Sequence, residues 1–233
     1  MTLVSGIDPA TPAASGTRTY VMGLAARLPT RNVSVALVAR NGAPSISGIT
    51  YRRIGSGPSS ARFLLRLTAA APWLDIPRES IIHAQRPDDL VPFAFAKRRN
   101  PKVCTLHGIP ALAVRRRRGA GYGLAYRILE RIGLARTNRV IAVDAGTAEW
   151  YTTRYPSLAG RTDVVPVAVD TARFRPLDPD AARRRFGVTQ EYVVAYAGRL
   201  SIEKRVDALT RAIRDLAHTE LLVAGAGPEG TNA

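Results

Sequence analysis

Short apolar runs, separated by longer amphipathic segments, restrict the fold of this sequence more than any other feature. In the first part of the chain the runs occupy residues 3–7, 33–38, 80–84, 102–106, 139–143 and 163–167. Several are apolar throughout instead of alternating, which is typical of strands buried on both faces of a parallel sheet. Strands that alternate with helices predict a doubly wound α/β domain.

Two of the intervening segments, 17–28 and 122–134, repeat apolar residues at helical spacing. In the second of these helices the predicted buried stripe consists of Leu124, Ile128, Leu129 and Ile132. Residues 44–62 are rich in Gly, Ser and Pro and predict a loop or an edge hairpin.

A segment with two prolines and no strand period, 169–179, predicts a linker between domains. It separates an N-terminal Rossmann-like domain, 1–168, from residues 180–233. The second region contains a short helix at 180–186, a strand at 192–197, a helix at 202–217 and a strand at 220–224. One βαβ unit with apolar strands cannot cover both of its faces, so we expect an incomplete second Rossmann-like domain.

Composition excludes several classes of protein. A hydrophobic fraction of 46% supports a buried core and argues against disorder. The single cysteine, Cys104, lies in an apolar run without a disulfide partner, which predicts a core residue in a reducing compartment. The N-terminus lacks the pattern of a signal peptide, and no run approaches the length of a membrane span. These features predict a cytoplasmic protein that is soluble or peripheral to the membrane.

The formal net charge of +16 favours contact with phosphates in nucleic acids, anionic lipids or phosphorylated substrates. The densest cluster, Arg115, Arg116, Arg117 and Arg118, precedes a glycine-rich segment, which predicts an exposed loop. This loop could be solvated, could contact the inner face of a membrane, or could contact nucleic acid. No helix-turn-helix, zinc-finger or RNA-recognition signature supports the last alternative.

Two candidate sites follow predicted strands of the first domain, where ligands of open α/β sheets bind. Gly16 would let a backbone N–H approach an anion at a helix N-terminus, although Ser15 or Thr17 could cap that helix without any ligand. His107 follows the strand at 102–106 and could bind a substrate hydroxyl or phosphate, or could be a structural histidine. His83 lies inside an apolar run and is better explained as a core residue.

A third candidate site, residues 198–204, joins the strand at 192–197 to its helix. Gly198 allows a tight exit from the strand, while Arg199 and Lys204 add two cations beside a helix N-terminus. Cations are normally favoured at the other end of a helix, so a bound diphosphate would explain them better than a solvated basic turn. Residues 225–230 match the glycine pattern of dinucleotide sites, but this match alone is weak.

Segments 197–204 and 222–228 resemble the paired signatures of family 4 glycosyltransferases, retaining enzymes with two facing Rossmann-like domains, called the GT-B fold. Further resemblance lies in Ser15-Gly16, in residues 81–84, in Thr105-Leu106-His107-Gly108 and in residues 169–176. The sequence departs from the family pattern at Ser15, Asp144, Val167-Ala168 and Arg205. The family's E-x7-E segment would fall beyond Ala233, so we expect a truncated second domain.

The resemblance implies transfer of a sugar from a nucleoside-diphosphate sugar to a glycan or lipid-linked acceptor, with retention of configuration. It assigns the donor diphosphate to Gly16, Gly198, Arg199 and Lys204, and places His107 at the transferred sugar as the catalytic candidate. No cofactor and no metal are expected, and the sequence has no histidine cluster. The alternatives are a non-catalytic remnant of such an enzyme and, with less support, a basic nucleic-acid-binding module.

Overall fold

The structure is a computed structural model that describes residues 1–10 and 15–227, apart from the side chain of Arg117. The chain divides into two compact units, Met1–Val167 and Ala168–Ala233.

The first unit is built on a parallel sheet. Its strands are β1 (Thr2–Val4), β2 (Val35–Ala39), β3 (Ile49–Arg53), β4 (Ile82–Ala84), β5 (Lys102–Leu106), β6 (Arg139–Ala142) and β7 (Thr162–Val164). Their spatial order is β3-β2-β1-β4-β5-β6-β7, and every pairing is parallel. This order confirms the predicted doubly wound architecture. The direction of winding reverses between β1 and β4, which opens a crevice at their carboxyl ends.

Helices cover both faces of this sheet. They are α1 (Gly16–Arg27), α2 (Ser60–Ala70), α3 (Val91–Phe95), α4 (Pro110–Arg118), α5 (Ala120–Ala135) and α6 (Ala145–Arg154), with 3-10 turns at Pro29–Arg31, Ala71–Trp73, Pro87–Leu90 and Pro156–Arg161. Successive strand residues point to opposite faces, so the sheet has two cores. Leu3 and Leu37 pack with Val21 of α1, whereas Val4 and Val38 belong to the larger core on the other face.

The second unit contains α7 (Pro179–Phe186), β8 (Tyr192–Ala197), a 3-10 turn (Ile202–Lys204), α8 (Val206–Ile213) and β9 (Thr219–Ala224). β8 and β9 form a parallel pair. The residues of both strands are half-buried or exposed, as expected for a sheet of two strands with few covering helices.

Two predictions about loops were wrong. The segment 44–62 contains β3, which pairs with β2 in parallel and therefore forms no hairpin. Arg115–Arg118 lie in the last turn of α4 and not in a loop. The helix begins with Pro110 in its first turn, and alanine, leucine and arginine are strong helix formers, so the basic run extends the helix as far as Gly119.

Two predictions about helices also need correction. The buried residues of α5 are Gly123, Tyr126, Glu130, Gly133 and Leu134, whereas Leu124 and Ile128 of the predicted stripe are 57% and 56% exposed. The helix predicted at 202–217 is interrupted, because Arg205 adopts a left-handed conformation with φ of 52° between the 3-10 turn and α8. Within the described residues, no helix has the length and apolar character needed to cross a membrane.

Candidate functional site

Two cavities lie at the carboxyl edge of the first sheet. One, of about 570 Å³, follows β4 and β5 and is lined by Gln85, Arg86, His107 and Gly108 among others. The other, of about 450 Å³, follows β1 and β2. Thr17, Ser60 and Arg86 line both cavities. The crevice at the winding reversal is therefore lined by a continuous row of polar groups. Proteins of this fold class bind their ligands at such a crevice.

Four polar side chains of β4 and β5 and of the residues that follow them form two cross-strand pairs. His83 Nε2 lies 2.7 Å from Thr105 Oγ1, and His107 Nε2 lies 3.0 Å from Gln85 Oε1. Residues two apart along a strand share a face, so both pairs lie on the same face of the sheet. The ring of Tyr20 in α1 meets the His107 imidazole edge-on at 4.9 Å.

The two histidines of this row are neutral at neutral pH. Burial and, to a smaller extent, the neighbouring His107 lower the pKa of His83 to about 4. Burial also lowers the pKa of His107 below its usual value. His83 is buried and paired with Thr105, so the prediction of a core histidine is confirmed. Gly108, next to His107, has φ of 123°, a conformation that favours glycine.

Gly16 is the first residue of α1, and Thr17 lines the same cavity as His107. The structure therefore brings the first turn of α1 and His107 to one edge of the sheet. Ser15 is the N-cap residue but its side chain makes no capping hydrogen bond. A Cβ atom added at Gly16 would meet no atom of the described residues within 4 Å.

An arginine at the junction of the two cavities is held by a network that the sequence analysis missed. Arg86 donates to both carboxylate oxygens of Asp88, at 3.0 and 2.7 Å, and to Ser60 Oγ at 3.2 Å. Tyr126 of α5 donates to the same carboxylate at 2.9 Å. An Arg-Pro-Asp-Asp run directly after an apolar strand was the available signal, because charged residues are rarely buried without partners.

Two further arginines, Arg18 and Arg40, line the cavity after β1 and β2. Arg18 donates to the backbone carbonyls of Asp8 and Pro9. Arg40 Nε and Nη1 are buried and have no hydrogen-bond partner among the described residues. Burial lowers the pKa of Arg40, while the carboxyl groups of Asp8 and Asp89 oppose this effect. Together with Arg86, these side chains make the cavity suited to an anionic group.

In the second unit, the residues predicted to bind diphosphate follow β8. Arg199 is exposed and lies 3.6 Å from the Glu203 carboxylate, and Lys204 is exposed at the end of the 3-10 turn. The hydroxyl of Ser201, the N-cap residue of the 3-10 turn, makes no capping bond and is buried without a partner in the described part of the chain. Both cations precede α8, whose first residue is Val206.

The glycine pattern at 225–230 has a packing explanation as far as the structure describes it. A Cβ atom at Gly225 would collide with the carbonyl oxygen of Gly198, and one at Gly227 with that of Leu200. Backbone hydrogen bonds from Gly198 to Ala224 and from Leu200 to Ala226 hold these segments together. Residues 228–230 of the pattern lie outside the described residues.

The remaining predicted site residues are the arginines at the end of α4. Arg115, Arg116 and Arg118 are exposed at the end of α4, and only Arg118 among them lines the cavity of His107. The side chain of Arg117 is outside the described part of the structure. In residues 1–10 and 15–227 no group of three or more His, Cys, Asp or Glu side chains is arranged to hold a metal ion.

Comparison with known proteins identifies relatives of this chain. The D-inositol 3-phosphate glycosyltransferase of Nocardia farcinica is 28% identical over 96% of this chain and 56% of its own length. The enzyme of the same name from Mycolicibacterium smegmatis is 43% identical over 30% of this chain and 16% of its own length. The chain spans about half the length of the curated relatives that it matches along most of its residues.

Solved structures share its fold. A sucrose-phosphate synthase from Thermosynechococcus elongatus superposes with a TM-score of 0.74 at 21% identity, covering 98% of this chain and 63% of the other. The Anabaena protein HepE in complex with UDP-glucose superposes with a TM-score of 0.66 at 16% identity, covering 97% and 60%. These neighbours confirm the GT-B architecture that the sequence motifs predicted.

The family assignment rests on an independent match over more than half of the chain. Residues 14–173 match Glycosyltransferase Family 4, a range that includes the first turn of α1, the polar row on β4 and β5, and α5. The chain belongs to glycosyltransferase family 4.

Proposed function

We propose that this chain takes part in transferring a sugar from a nucleoside-diphosphate sugar to an acceptor, with retention of configuration. The observation that carries the proposal is the pair of exposed cations, Arg199 and Lys204, that follows a parallel strand and precedes the N-terminus of α8. Relatives named as glycosyltransferases support the class of reaction, and the complex of HepE with UDP-glucose supports the class of donor. Retention follows from the family resemblance.

The proposed chemistry assigns a separate role to each group. Breaking the bond between sugar and diphosphate leaves positive charge on the sugar ring and negative charge on the departing phosphate. Arg199, Lys204 and the free N–H groups at the start of α8 would stabilise the departing diphosphate. The neutral imidazole of His107 would contact the transferred sugar, and the backbone N–H groups at the start of α1, at Gly16, would approach the donor phosphates.

We place the acceptor on the first unit, in the cavities at the carboxyl edge of its sheet. Arg18, Arg40 and Arg86 favour an acceptor that carries an anionic group, either a phosphorylated small molecule or a phosphate-linked lipid or glycan. The names of the relatives support the small molecule. Transfer of labelled glucose from UDP-glucose to D-inositol 3-phosphate but not to unphosphorylated inositol would support the anionic acceptor.

The donor site is tested by replacing Lys204 or Arg199 with alanine and titrating the chain with UDP-glucose by calorimetry. Each variant should lose a charge-assisted contact of about 1.5 to 3 kcal/mol, which weakens binding about tenfold to a hundredfold. Arg214→Ala is the matched control, because Arg214 is an exposed cation at the other end of α8. Unchanged affinity in both test variants would mean that residues 198–204 form a solvated turn.

An apolar and basic surface on the first unit supports contact with an anionic membrane. Tyr122, Leu124 and Ile128 of α5 are more than half exposed. Beside them, a groove of about 630 Å³ between α5 and Pro156–Arg161 is lined by Leu124, Ile128, Arg127, Arg131 and Arg154. Apolar side chains that enter the lipid interface and arginines that pair with lipid phosphates are the two components of interfacial binding. We propose that this surface holds the protein at the cytoplasmic face of a membrane when the acceptor is lipid-linked.

Sedimentation with phosphatidylserine-containing vesicles tests the membrane surface. Ile128→Ser and Arg131→Ala should each reduce the bound fraction, the arginine by an amount equivalent to about 1 kcal/mol. Leu65→Ser is the control, because Leu65 is 71% exposed on α2, outside this surface. Vesicles of phosphatidylcholine alone should bind little of any variant. Equal binding to both kinds of vesicle, or no binding, would contradict the proposal.

A further inference from the structure

Gln85 stands at a position that the sequence analysis did not single out. It is the first residue after β4, next to the point where the winding of the sheet reverses, and it is almost completely buried. Its backbone N–H donates to the carbonyl of Val4, so β1 holds its main chain in place. Its side chain reaches across to His107, the first residue after β5. Gln85 is therefore held both at its backbone and at its carboxamide oxygen.

The atoms that meet determine how protons are distributed on the imidazole. Gln85 presents its carbonyl oxygen, Oε1, to His107 Nε2 at 3.0 Å, and a carbonyl oxygen can only accept. In this orientation of the amide, His107 Nε2 carries a hydrogen atom. In a neutral imidazole only one nitrogen does so, which leaves Nδ1 with a free electron pair.

The surroundings of His107 keep this imidazole neutral. The titratable and charged groups of the elements around it are Tyr20 on α1, His83 on β4, Arg86 and Asp88 after β4, Arg118 on α4, and Tyr122 and Tyr126 on α5. Asp88 is the carboxylate of this set, and it is engaged by Arg86 and Tyr126. Burial accordingly determines the charge state of His107 and favours its neutral form.

The cost of keeping glutamine here argues against a purely structural role. Gln85 Nε2 is buried and has no hydrogen-bond partner within residues 1–10 and 15–227. Leaving a buried donor unpaired costs about 1 to 3 kcal/mol, which an apolar side chain of similar volume would avoid.

We propose that Gln85 is a positioning residue that holds His107 as the Nε2–H tautomer, so that Nδ1 accepts a hydrogen bond from a hydroxyl of the transferred sugar. The first part concerns the chain alone, whereas the contact with the sugar rests on the proposed function. His107 is then a fixed acceptor rather than an acid. The specificity it provides is for a sugar with a hydroxyl at the contacted position.

The tautomer can be measured directly. The chain has three histidines, so long-range ¹⁵N–¹H correlation spectra of histidine-labelled protein resolve every imidazole. At pH 7 we expect His107 to be in the Nε2–H form, with His218, which is exposed, as the internal reference for an unconstrained ring. A spectrum in which His107 is in the Nδ1–H form, or is a mixture like His218, would overturn the assignment.

Two substitutions separate positioning from packing. Gln85→Glu places a carboxylate beside Nε2, and should raise the pKa of His107 by at least about one unit. Gln85→Met keeps the volume without the acceptor, and should remove the tautomer preference. If both variants fold and neither result appears, Gln85 serves only to fill space.

The contact with the sugar has its own readout. Transfer from UDP-glucose by the wild-type protein should vary little between pH 6.5 and 8, whereas Gln85→Glu should lose at least about threefold at the lower pH, where its imidazole is protonated and cannot accept. If the wild type and Gln85→Glu show parallel pH profiles of transfer while the histidine spectra are as expected, the contact with the sugar is wrong and the tautomer assignment stands. Absence of transfer in the wild type would count against the proposed function, and the spectra would still decide the role of Gln85.

Discussion

A buried carboxyl group in the turn after β4 couples the stability of the first unit to pH. Asp89 is almost fully buried, its carboxyl group accepts from the backbone N–H of Gly6, and its Oδ2 has no partner among the described residues. Burial raises the pKa of Asp89, and the neighbouring Asp88 raises it further, more than Arg86 and Arg40 lower it. The folded state therefore holds this proton more tightly than the unfolded chain does.

Asp89→Asn isolates this effect. Because the folded-state pKa is the higher one, the stabilisation from Asp89 is complete below the unfolded pKa of about 3.9 and is lost as the pH rises through the folded value. Between pH 5 and pH 8, the unfolding free energy of the wild type should fall relative to the variant, by about 1.4 kcal/mol per pH unit until the raised pKa is reached. Urea denaturation at several pH values measures this difference in unfolding free energy between the wild type and Asp89→Asn. The control is Asp75→Asn, at an exposed carboxylate, and curves for Asp89→Asn that stay parallel to the wild type would contradict the prediction.

Arg205 is one departure of this sequence from its family pattern, and its backbone conformation shows what the departure costs. The resemblance led us to expect glycine after Lys204, and the structure shows why, because residue 205 has φ of 52°. A left-handed conformation costs a side chain about 1 to 2 kcal/mol, which glycine avoids. The 3-10 turn that ends here carries Lys204, so the strained residue determines where α8 begins relative to the predicted diphosphate site.

At the scale of single elements, α5 links the packing of the first unit to its polar network. Gly133 lies against the carbonyl of Pro87, so close that an added Cβ atom would collide with it. On the same helix Glu130 is fully buried and accepts from Tyr151 and Tyr155, both at 2.9 Å. These contacts rotate α5 so that its glycine and polar residues face inward, and they leave the stripe of Leu124 and Ile128 outside.

Two glycine substitutions on α5 should have opposite effects. Gly133→Ala forces the helix away from Pro87 and should destabilise the first unit by about 1 to 3 kcal/mol. Gly121→Ala, where an added Cβ meets nothing within 4 Å, should be neutral or stabilising by up to about 1 kcal/mol, since alanine is the better helix former. Thermal or urea unfolding measures both. A loss of stability at Gly121 as large as at Gly133 would mean that close packing at Pro87 is not the cause.

At the scale of the whole molecule, the two units should differ in local stability. The first unit has a parallel sheet covered on both faces, whereas the second has one pair of strands with exposed or half-buried residues. A unit that has few buried contacts opens locally at a low cost in free energy. Amides of Tyr192–Ala197 should therefore exchange with deuterium at least about tenfold faster than those of Lys102–Leu106, as followed by mass spectrometry. Equal protection in these two strands would contradict this expectation.

The sequence by itself determined the class of fold and most of its elements. The largely apolar run 102–106 coincides with β5, because a strand covered on both faces of a sheet admits few polar residues. Motifs that directly follow a predicted strand, such as His107-Gly108, were predicted to lie at the carboxyl edge of the sheet, because parallel strands all end at that edge. These signals are local in the chain.

Only the tertiary structure decided which neighbours those residues acquire. The pairing of Gln85 with His107 depends on the adjacency of β4 and β5, and the network of Arg86, Asp88 and Tyr126 requires α5 to pack against the turn after β4. The inward face of α5 could not be predicted from periodicity, because the close approach at Gly133 and the buried Glu130 outweigh the exposure of two large apolar side chains. Contacts between residues distant in sequence carry no periodic signal, so they become visible only when the elements are assembled.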